Sequence, residues 1–314
     1  MRALVLSGGG AKGCFQVGVL RGMLNDNPDL DYDIYTGISV GAINVSQLAS
    51  APLDESLPGL EEIWLKDIKG NSSVWKHKLF PRLIWSVALM LALFAGTLTS
   101  LFLSGPLFLS IGLLLLFVLS LIVPNFIMKG TSSVYSTKPL RNLLNRKLPK
   151  DKIKTSGKKM RIGGVCYQDG KYYTADELSP NIVEWVMASS SFPVFFPMEK
   201  IDGKDFTDGG VREVAPVRDA VEMGADEIDV IITRPYDMSI KEEVGSVVTQ
   251  LSHFIDIMSD EIIDNDLGIY SGCDYVKVRI IAPPTAVVEN SLKFDPKEIK
   301  AGYEMGLKVA SELT

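Results

Sequence analysis

Short apolar runs alternate with longer amphipathic segments along most of this chain, and glycine-rich turns separate many of them. Continuous runs such as Ala3-Leu4-Val5-Leu6 are typical of buried strands, whereas apolar residues three and four positions apart are typical of helices. Strands that alternate with helices predict an α/β domain. The predicted strands are 2–6, 33–37, 160–167, 172–175, 226–233 and 275–281, and the predicted helices are 13–26, 40–50, 58–68, 138–148, 181–189, 244–270 and 295–313.

One apolar segment interrupts this alternation. Residues 83–128 are 46 consecutive positions without Asp, Glu, Lys, Arg or His, and Ser104-Gly105-Pro106 divides them into stretches of 21 and 22 residues. As helices, these stretches would each be about 32 Å long, enough to cross a hydrocarbon core of about 30 Å. Since soluble helices seldom lack a polar face, we expect two membrane spans. A wholly buried helical pair and a shallow hairpin in one leaflet are the alternatives.

Charge predicts the orientation of this hairpin. Four cations flank it: Lys76, Lys78, Arg82 and Lys129. Residues 129–161 hold eleven Lys or Arg and one acid, Asp151. Because positive flanks stay on the cytoplasmic side, we expect both ends to face the cytoplasm and the turn near Gly105 to face outward. The basic run would lie against anionic lipid headgroups or form a solvated segment.

Composition and charge limit the other possibilities. The net charge of −6 and a pI near 5.2 argue against nucleic acid as a partner. Three widely separated cysteines (Cys14, Cys166 and Cys273) form neither a disulfide framework nor a metal pattern, which favours a reducing compartment. No ligand cluster implies a metal or cofactor. The first apolar run is too short for a secretory signal, so we expect the mature protein to begin at Met1.

A G-x-S-x-G pentapeptide stands between the second predicted strand and a helix: Gly37-Ile38-Ser39-Val40-Gly41. Its glycines allow a sharp turn that holds the serine hydroxyl clear of the sheet, at a helix N-terminus. In that position a serine can act as a hydrolytic nucleophile. The alternative is a plain helix start with Ser39 near the N-cap.

A glycine loop follows the first predicted strand and opens a helix: Gly8, Gly9, Gly10, Ala11, Lys12 and Gly13. It satisfies G-x-G-x-x-G, so dinucleotide binding is a competing interpretation. Two details oppose it, because Asp33 precedes the apolar residues of the second strand instead of ending it, and Lys12 crowds the loop. A phosphate loop is excluded because Cys14 stands where that pattern needs a lysine. Backbone N–H groups of such a loop also suit the oxyanion of an acyl-transfer intermediate.

The serine also needs a base. The chain holds two histidines: His77 in the basic approach to the apolar segment, and His253 inside a long predicted helix. The better candidate is Asp208 in Phe206-Thr207-Asp208-Gly209-Gly210, where the glycines let the chain turn sharply. An ordinary Asp-Gly turn is the alternative for that motif.

In their order and spacing, the glycine loop, the Ser39 pentapeptide and Asp208-Gly209-Gly210 resemble the signature of patatin-like phospholipases, as do the stretches 188–197 and 208–216. The resemblance implies a three-layer α/β/α hydrolase domain, here with the apolar hairpin inserted, in parts 1–75, 76–129 and 130–314. It implies a dyad without histidine, in which Ser39 is the nucleophile and Asp208 the proton acceptor. The supporting residues would be the oxyanion loop and four motif glycines: Gly37, Gly41, Gly209 and Gly210.

The expected activity is therefore lipid acyl hydrolysis of the phospholipase A or lysophospholipase type, on a membrane lipid and at the bilayer. Lys12 would steady the loop or meet a lipid phosphate. Two alternatives remain open. An acyltransferase would use the same dyad with another acceptor, and a membrane-tethered scaffold would keep the fold without turnover.

Overall fold

The computed structural model describes residues 1–103, 106–235, 247–268 and 275–313. The chain forms two compact units. The first is made of Met1–Val74, Lys138–Phe192 and Met198–Thr314, and the second of Trp75–Thr137 and Pro193–Pro197.

The strands and helices follow one another along the whole described chain. The strands are β1 (Arg2–Leu6), β2 (Ile34–Gly37), β3 (Lys76–His77), β4 (Tyr135–Ser136), β5 (Lys159–Cys166), β6 (Tyr172–Asp176), β7 (Glu199–Ile201), β8 (Lys204–Asp208), β9 (Glu227–Ile231) and β10 (Lys277–Ile281). The helices are α1 (Gly13–Asp26), α2 (Val40–Leu48), α3 (Leu53–Glu62), α4 (Asn71–Val74), α5 (Leu79–Phe102), α6 (Leu107–Ser120), α7 (Val123–Lys129), α8 (Lys138–Lys147), α9 (Lys150–Thr155), α10 (Ile182–Ser189), α11 (Val217–Glu222), α12 (Val247–Gly268) and α13 (Pro296–Ser311).

The first unit is built on a mixed sheet that has eight strands among the described residues. Its order is β10-β9-β1-β2-β5-β8-β7, with β6 also paired to β5. The run from β10 to β5 is parallel. β6 and β8 pair antiparallel with β5, and β7 pairs antiparallel with β8. The parallel strands β1 and β9 are almost wholly buried. The continuous apolar run Ala3–Leu6 predicts this for β1. The sheet and the helices packed on it fit a three-layer α/β/α fold.

Strand register brings the ends of two distant strands together. β2 runs parallel to β5 and ends with Gly37 opposite Ile162. β8 runs antiparallel to β5 and ends with Asp208 opposite Gly164. The two carboxyl ends therefore meet at neighbouring positions of β5, which are about 7 Å apart in an extended strand. Residues just beyond β2 consequently face the end of β8.

The second unit contains the apolar helices and the β3–β4 pair. Its apolar side chains face outward, and Trp85 and Phe108 are 75% and 78% exposed. The buried side chains of α5 and α6 are instead small hydroxyl residues: Ser86, Thr97, Ser100, Ser110 and Ser120. Ser100 and Ser110 share a hydrogen bond of 2.8 Å between their hydroxyls, which joins α5 to α6. Apolar residues outside and hydroxyls inside are the reverse of a soluble core.

Most of the predicted elements are confirmed, although their ends differ by a few residues. The predicted start of the helix at 58 is wrong, because Leu53, Leu57 and Leu60 form one buried face and the helix begins at Leu53, with Pro58 inside it. The prediction of a long helix over 244–270 is confirmed within α12, and its two ends lie outside the described residues, as do Ser104 and Gly105 of the predicted turn. β7 and β8 were not predicted.

The second apolar stretch is not the single helix that its length predicts. It is divided into α6 and α7, with turn residues at 121–122. Pro124 lies in the first turn of α7. A proline lacks the N–H that a continuous helix needs and its ring collides with the preceding turn, so the helix ends before it. Among the described residues, α5 is the one helix long and apolar enough to cross a membrane.

Candidate active site

Ser39 occupies a strained turn between β2 and α2. Its backbone has φ 56° and ψ −122°, a region that few non-glycine residues adopt and that costs about 1–3 kcal/mol. At the flanking Gly41, a Cβ atom would lie 2.1 Å from the Leu6 carbonyl oxygen, so this turn can pack against the end of β1 only with glycine there. The Ser39 side chain is half-buried at the start of α2. This geometry matches a nucleophile turn better than an N-cap, since Ser39 makes no side-chain cap bond.

A run of three serines at the end of α10 fixes the main chain of Ser39. The Ser39 N–H donates to the Ser189 hydroxyl at 3.0 Å, and the Ser190 hydroxyl donates to the Ser39 carbonyl at 3.1 Å. The Ser191 carbonyl accepts from the Asp208 N–H at 3.0 Å. This serine segment (Ser189–Ser191) therefore connects the backbone of Ser39 directly with that of Asp208.

Asp208 ends β8 as a buried carboxylate that is 3% exposed. Its Oδ1 accepts from the Gly210 N–H at 2.8 Å, across the short helical turn Gly209–Val211. Its Oδ2 is buried and has no partner in full hydrogen-bond geometry. Nevertheless the Ser39 hydroxyl is close enough to interact with this carboxylate and stabilise its charge. Such a loose contact is common in resting enzymes and tightens when a substrate binds.

Burial raises the pKa of Asp208 to about 7, and the hydrogen bonds from the Gly210 amide and the Ser39 hydroxyl offset only part of that rise. Among the described residues, no cation contributes to this shift in pKa. A carboxyl group with a pKa near neutrality is half-ionised at physiological pH, which suits a group that must both accept and return a proton. These electrostatics suit a general base.

The glycine loop lies beside Ser39, because a Cβ atom on Gly8 would be 3.3 Å from the Ser39 Cβ. The Gly8 carbonyl accepts from the hydroxyls of Thr233 (2.6 Å) and Ser7 (3.1 Å). In a trans peptide the N–H points opposite to the C=O, so these bonds direct the Gly9 N–H away from Thr233. A side chain on Gly9 would strike the Thr233 hydroxyl at 2.1 Å and break this arrangement.

The six residues of the loop differ in what their amides do. Four N–H groups already have backbone acceptors: Gly8 with Val214, Ala11 with Ser291, Lys12 with Gly9, and Gly13 with Gly10. Within the described part of the chain, the amides of Gly9 and Gly10 have no such acceptor. Both residues are partly exposed, as Ser39 is. Two adjacent, unsatisfied donors near a serine form the kind of site that can hold an oxyanion.

The remaining predicted site residues have varied positions. Gly37 ends β2, Gly209 and Gly210 form the turn after Asp208, and the Lys12 side chain is half-buried. His77 stands in the second unit, against the rings of Trp75, Phe80 and Tyr135. His253 lies in the backbone of α12, and its side chain is outside the described residues. Of the residues that the structure describes, Gly210 and Ser39 are the ones that bond the Asp208 carboxylate.

The sequence does not predict the role of two sets of supporting residues. The serine segment lies in the stretch 188–197 that resembles the family, but nothing local assigns it to the backbone of Ser39. Thr233 follows β9 and reaches Gly8 only because β9 and β1 are neighbours in the sheet. Pairing between strands far apart in sequence has no local signal.

A sequence model of the patatin-like phospholipase family matches residues 4–221, which is more than half of the chain and includes the glycine loop, Ser39 and Asp208. A search of curated proteins finds no match. Among solved structures, the crystal structure of VipD from Legionella pneumophila aligns with 99% of this chain and 67% of its own, at 15% sequence identity and a TM-score of 0.39. At that TM-score the likeness bears on neither the fold nor the site.

Proposed function

This chain belongs to the patatin-like phospholipase family, and on that premise we propose that it is a serine acyl hydrolase of phospholipase A or lysophospholipase type. The proposal rests on the proximity of the Ser39 hydroxyl to the buried Asp208 carboxylate, whose pKa is raised to about 7. Acyl transfer requires a nucleophile, a base and donors to the oxyanion. The unsatisfied amides of Gly9 and Gly10 next to this pair would be the donors.

In the first half of the reaction, Asp208 accepts the proton of the Ser39 hydroxyl while the Ser39 oxygen attacks the carbonyl carbon of a lipid ester. The carbonyl oxygen becomes an oxyanion, and the Gly9 and Gly10 N–H groups donate to it. When the tetrahedral intermediate collapses, the ester bond breaks and the lipid alcohol leaves with the proton held by Asp208. The acyl group stays on Ser39 as an ester.

In the second half, a water molecule gives a proton to Asp208 and its oxygen attacks the acyl-Ser39 carbonyl. The same two amides hold the second oxyanion. Ser39 then leaves and recovers its proton from Asp208, and the fatty acid is released. One residue thus serves as base and then as acid in each half, which requires a pKa near the working pH.

The proposal is tested with the detergent-purified full chain on phosphatidylcholine vesicles. We expect release of free fatty acid, measured by mass spectrometry, and a covalent adduct of a fluorophosphonate probe on Ser39. Movement of the acyl chain to an added lysolipid without release of acid would instead identify an acyltransferase. Absence of both the adduct and turnover would identify a catalytically silent scaffold.

We further propose that the second unit anchors the protein as a two-span hairpin, with the first unit on the cytoplasmic side. Its outward apolar surface and inward hydroxyls support this arrangement. α5 has 24 residues, which corresponds to about 36 Å and suffices for a span. α6 has 14 residues, about 21 Å, so the second pass would need α6 and α7 in succession. The turn between them keeps its backbone bonded, with Leu121 and Ile122 donating to Val118 and Leu119.

Deleting 83–128 is expected to make the protein soluble while leaving turnover of a short-chain, water-soluble ester within about threefold of the full chain. The β3–β4 pair and the Lys78 N–H to Val134 bond of 3.0 Å hold the two cut ends near each other, so a short glycine-serine link can join them. The measurements are vesicle flotation and p-nitrophenyl butyrate hydrolysis.

The same deletion in a Ser39→Ala background is the control, because any remaining hydrolysis would then come from outside the proposed site. A deleted protein that still floats with vesicles would show that residues other than the hairpin attach it to the membrane.

A further inference from the structure

An acidic residue far from the proposed dyad holds the chain that follows Asp208. The acid segment (Asp208–Pro216) begins at the end of β8 and runs to the start of α11. One carboxylate oxygen of Asp266, on α12, accepts from the Val214 N–H at 2.9 Å and from the Ala215 N–H at 3.0 Å. Asp266 therefore fixes the far end of the acid segment in place.

The peptide that Asp266 holds also supports the glycine loop. The Val214 carbonyl accepts from the Gly8 N–H at 3.1 Å, so the Val214 residue bonds to Asp266 on one side and to Gly8 on the other. Gly8 in turn lies against Ser39 and precedes the Gly9 amide. A shift of Val214 would thus move the first donor of the proposed oxyanion site.

The same segment supports the acid at its near end. The N–H groups of Arg212 and Glu213 both donate to the Gly209 carbonyl at 3.0 Å, and the Gly210 N–H donates to Asp208. Three backbone N–H groups, those of Gly210, Arg212 and Glu213, thus close a turn between Asp208 and Val214. Its orientation depends on where each end is held, and Asp266 holds one of them.

We infer that Asp266 is a positioning residue for the reaction, and that its hydrogen bonds to Val214 and Ala215 set the placement of both Asp208 and the Gly9 and Gly10 amides. Asp266 makes these hydrogen bonds to the acid segment and, within the described part of the chain, none to Ser39 or Asp208, so its effect on the site passes through that segment. The inference rests on the proposed function, since it concerns the catalytic competence of that same site.

The test compares three substitutions at Asp266 in the full chain at pH 8, with the short-chain ester as substrate. Asp266→Ala removes the acceptor, and we expect kcat to fall about 10- to 100-fold with KM within about threefold, because a misplacement near 1 Å costs about 100-fold in rate. Asp266→Asn keeps an oxygen at the same distance, and we expect kcat within about fivefold of the wild type. Asp266→Glu keeps the charge but moves the oxygen outward by one methylene, and we expect a loss close to that of alanine.

The matched controls are Asp264→Ala and Asp264→Asn, two residues earlier on the same helix, where the carboxylate is exposed and pairs with Arg234. These should leave kcat unchanged. If Asp266→Ala does not fold, the order of the other two still decides, because a role through charge would favour Glu over Asn. Equal activity of all three variants with the wild type, or Glu above Asn, would overturn the inference. Ester hydrolysis that persists in the Ser39→Ala variant would instead show that the proposed function is wrong.

Discussion

Replacing Ser39 with alanine is expected to lower kcat for lipid ester hydrolysis by at least about 10⁴-fold, since loss of the nucleophilic serine in serine hydrolases costs up to about 10⁶. Without the hydroxyl no acyl-enzyme can form, and the Gly9 and Gly10 amides alone can polarise only the ester carbonyl. The measurement is fatty-acid release from phosphatidylcholine vesicles, with a fluorophosphonate probe as a second readout that should give no adduct.

The fold should tolerate this change. The bonds that fix Ser39 use its backbone, through the Ser189 and Ser190 hydroxyls, and alanine keeps both. Alanine also keeps the Cβ, so the strain of the positive φ is the same in both proteins. We therefore expect a Tm within about 2 °C of the wild type, which corresponds to less than about 1 kcal/mol for a domain of this size.

Ser46→Ala is the matched control. Ser46 lies about two turns further along α2. It is buried, and its hydroxyl donates to the Ala42 carbonyl of its own helix at 2.7 Å. This variant should keep full activity. If Ser39→Ala retained more than about 1% of wild-type activity while Ser46→Ala behaved as expected, Ser39 would not be the nucleophile.

The contrast between Ser39 and Asp208 shows what the sequence could predict. The turn at Ser39 is a local feature, because strand, glycines, serine and helix are consecutive, so its geometry follows from five residues. The two glycines that follow Asp208 mark it as a candidate base in the sequence. The sequence does not predict β8, the strand that carries Asp208. β8 is short and begins with Lys204 and Asp205, and it is a strand because it pairs with β5 and β7. Its proximity to Ser39 arises from sheet register, which no local pattern encodes.

The glycine loop shows the same limit on a finer scale. From the sequence alone, the backbone N–H groups of all six residues from Gly8 to Gly13 are equally good candidates for donors to an oxyanion. The structure distinguishes them, because Val214 and Ser291, both more than 200 residues away, accept from Gly8 and Ala11. Asp266 and Thr233 could not be found from the sequence for the same reason. Each acts through a backbone group brought near by the fold.

Asp208→Asn is expected to lower kcat by about 10³- to 10⁴-fold, the range by which a positioned base or its carboxylate partner accelerates such reactions. Asparagine can still accept from the Gly210 N–H through its oxygen, so the turn after β8 should persist, but it cannot take a proton from Ser39. Asp205→Asn is the control, because Asp205 lies on the same strand, three residues earlier, and bonds Gln168.

The pH dependence of the wild-type rate should report the same group. Asp208 must be ionised to accept the proton, and its pKa is raised to about 7. kcat/KM for the short-chain ester is therefore expected to rise about tenfold per pH unit below 7 and to level off above it. The residual activity of Asp208→Asn should lack this rise. A wild-type profile that is flat from pH 5 to pH 8 would exclude Asp208 as the base.

Stability should change in the opposite direction from activity. An unfolded chain ionises Asp208 near the ordinary value of 3.8, whereas the folded protein holds its proton up to about 7. The native state therefore binds more protons between these values, and its stability falls as pH rises through that window. The full difference is on the order of 4 kcal/mol, from about three pKa units at about 1.4 kcal/mol each.

The Asp208→Asn variant tests this dependence. Asparagine has no such penalty, so the Tm of Asp208→Asn minus that of the wild type should be small at pH 4 and should increase up to about pH 7. Glu213 and Asp266, whose pKa values are raised to about 7 and about 6, titrate in both proteins and cancel in this difference. A difference in Tm that stays constant over this range would mean that the Asp208 carboxylate is ionised in the folded protein well below pH 7, and that the buried base inferred from the structure is absent.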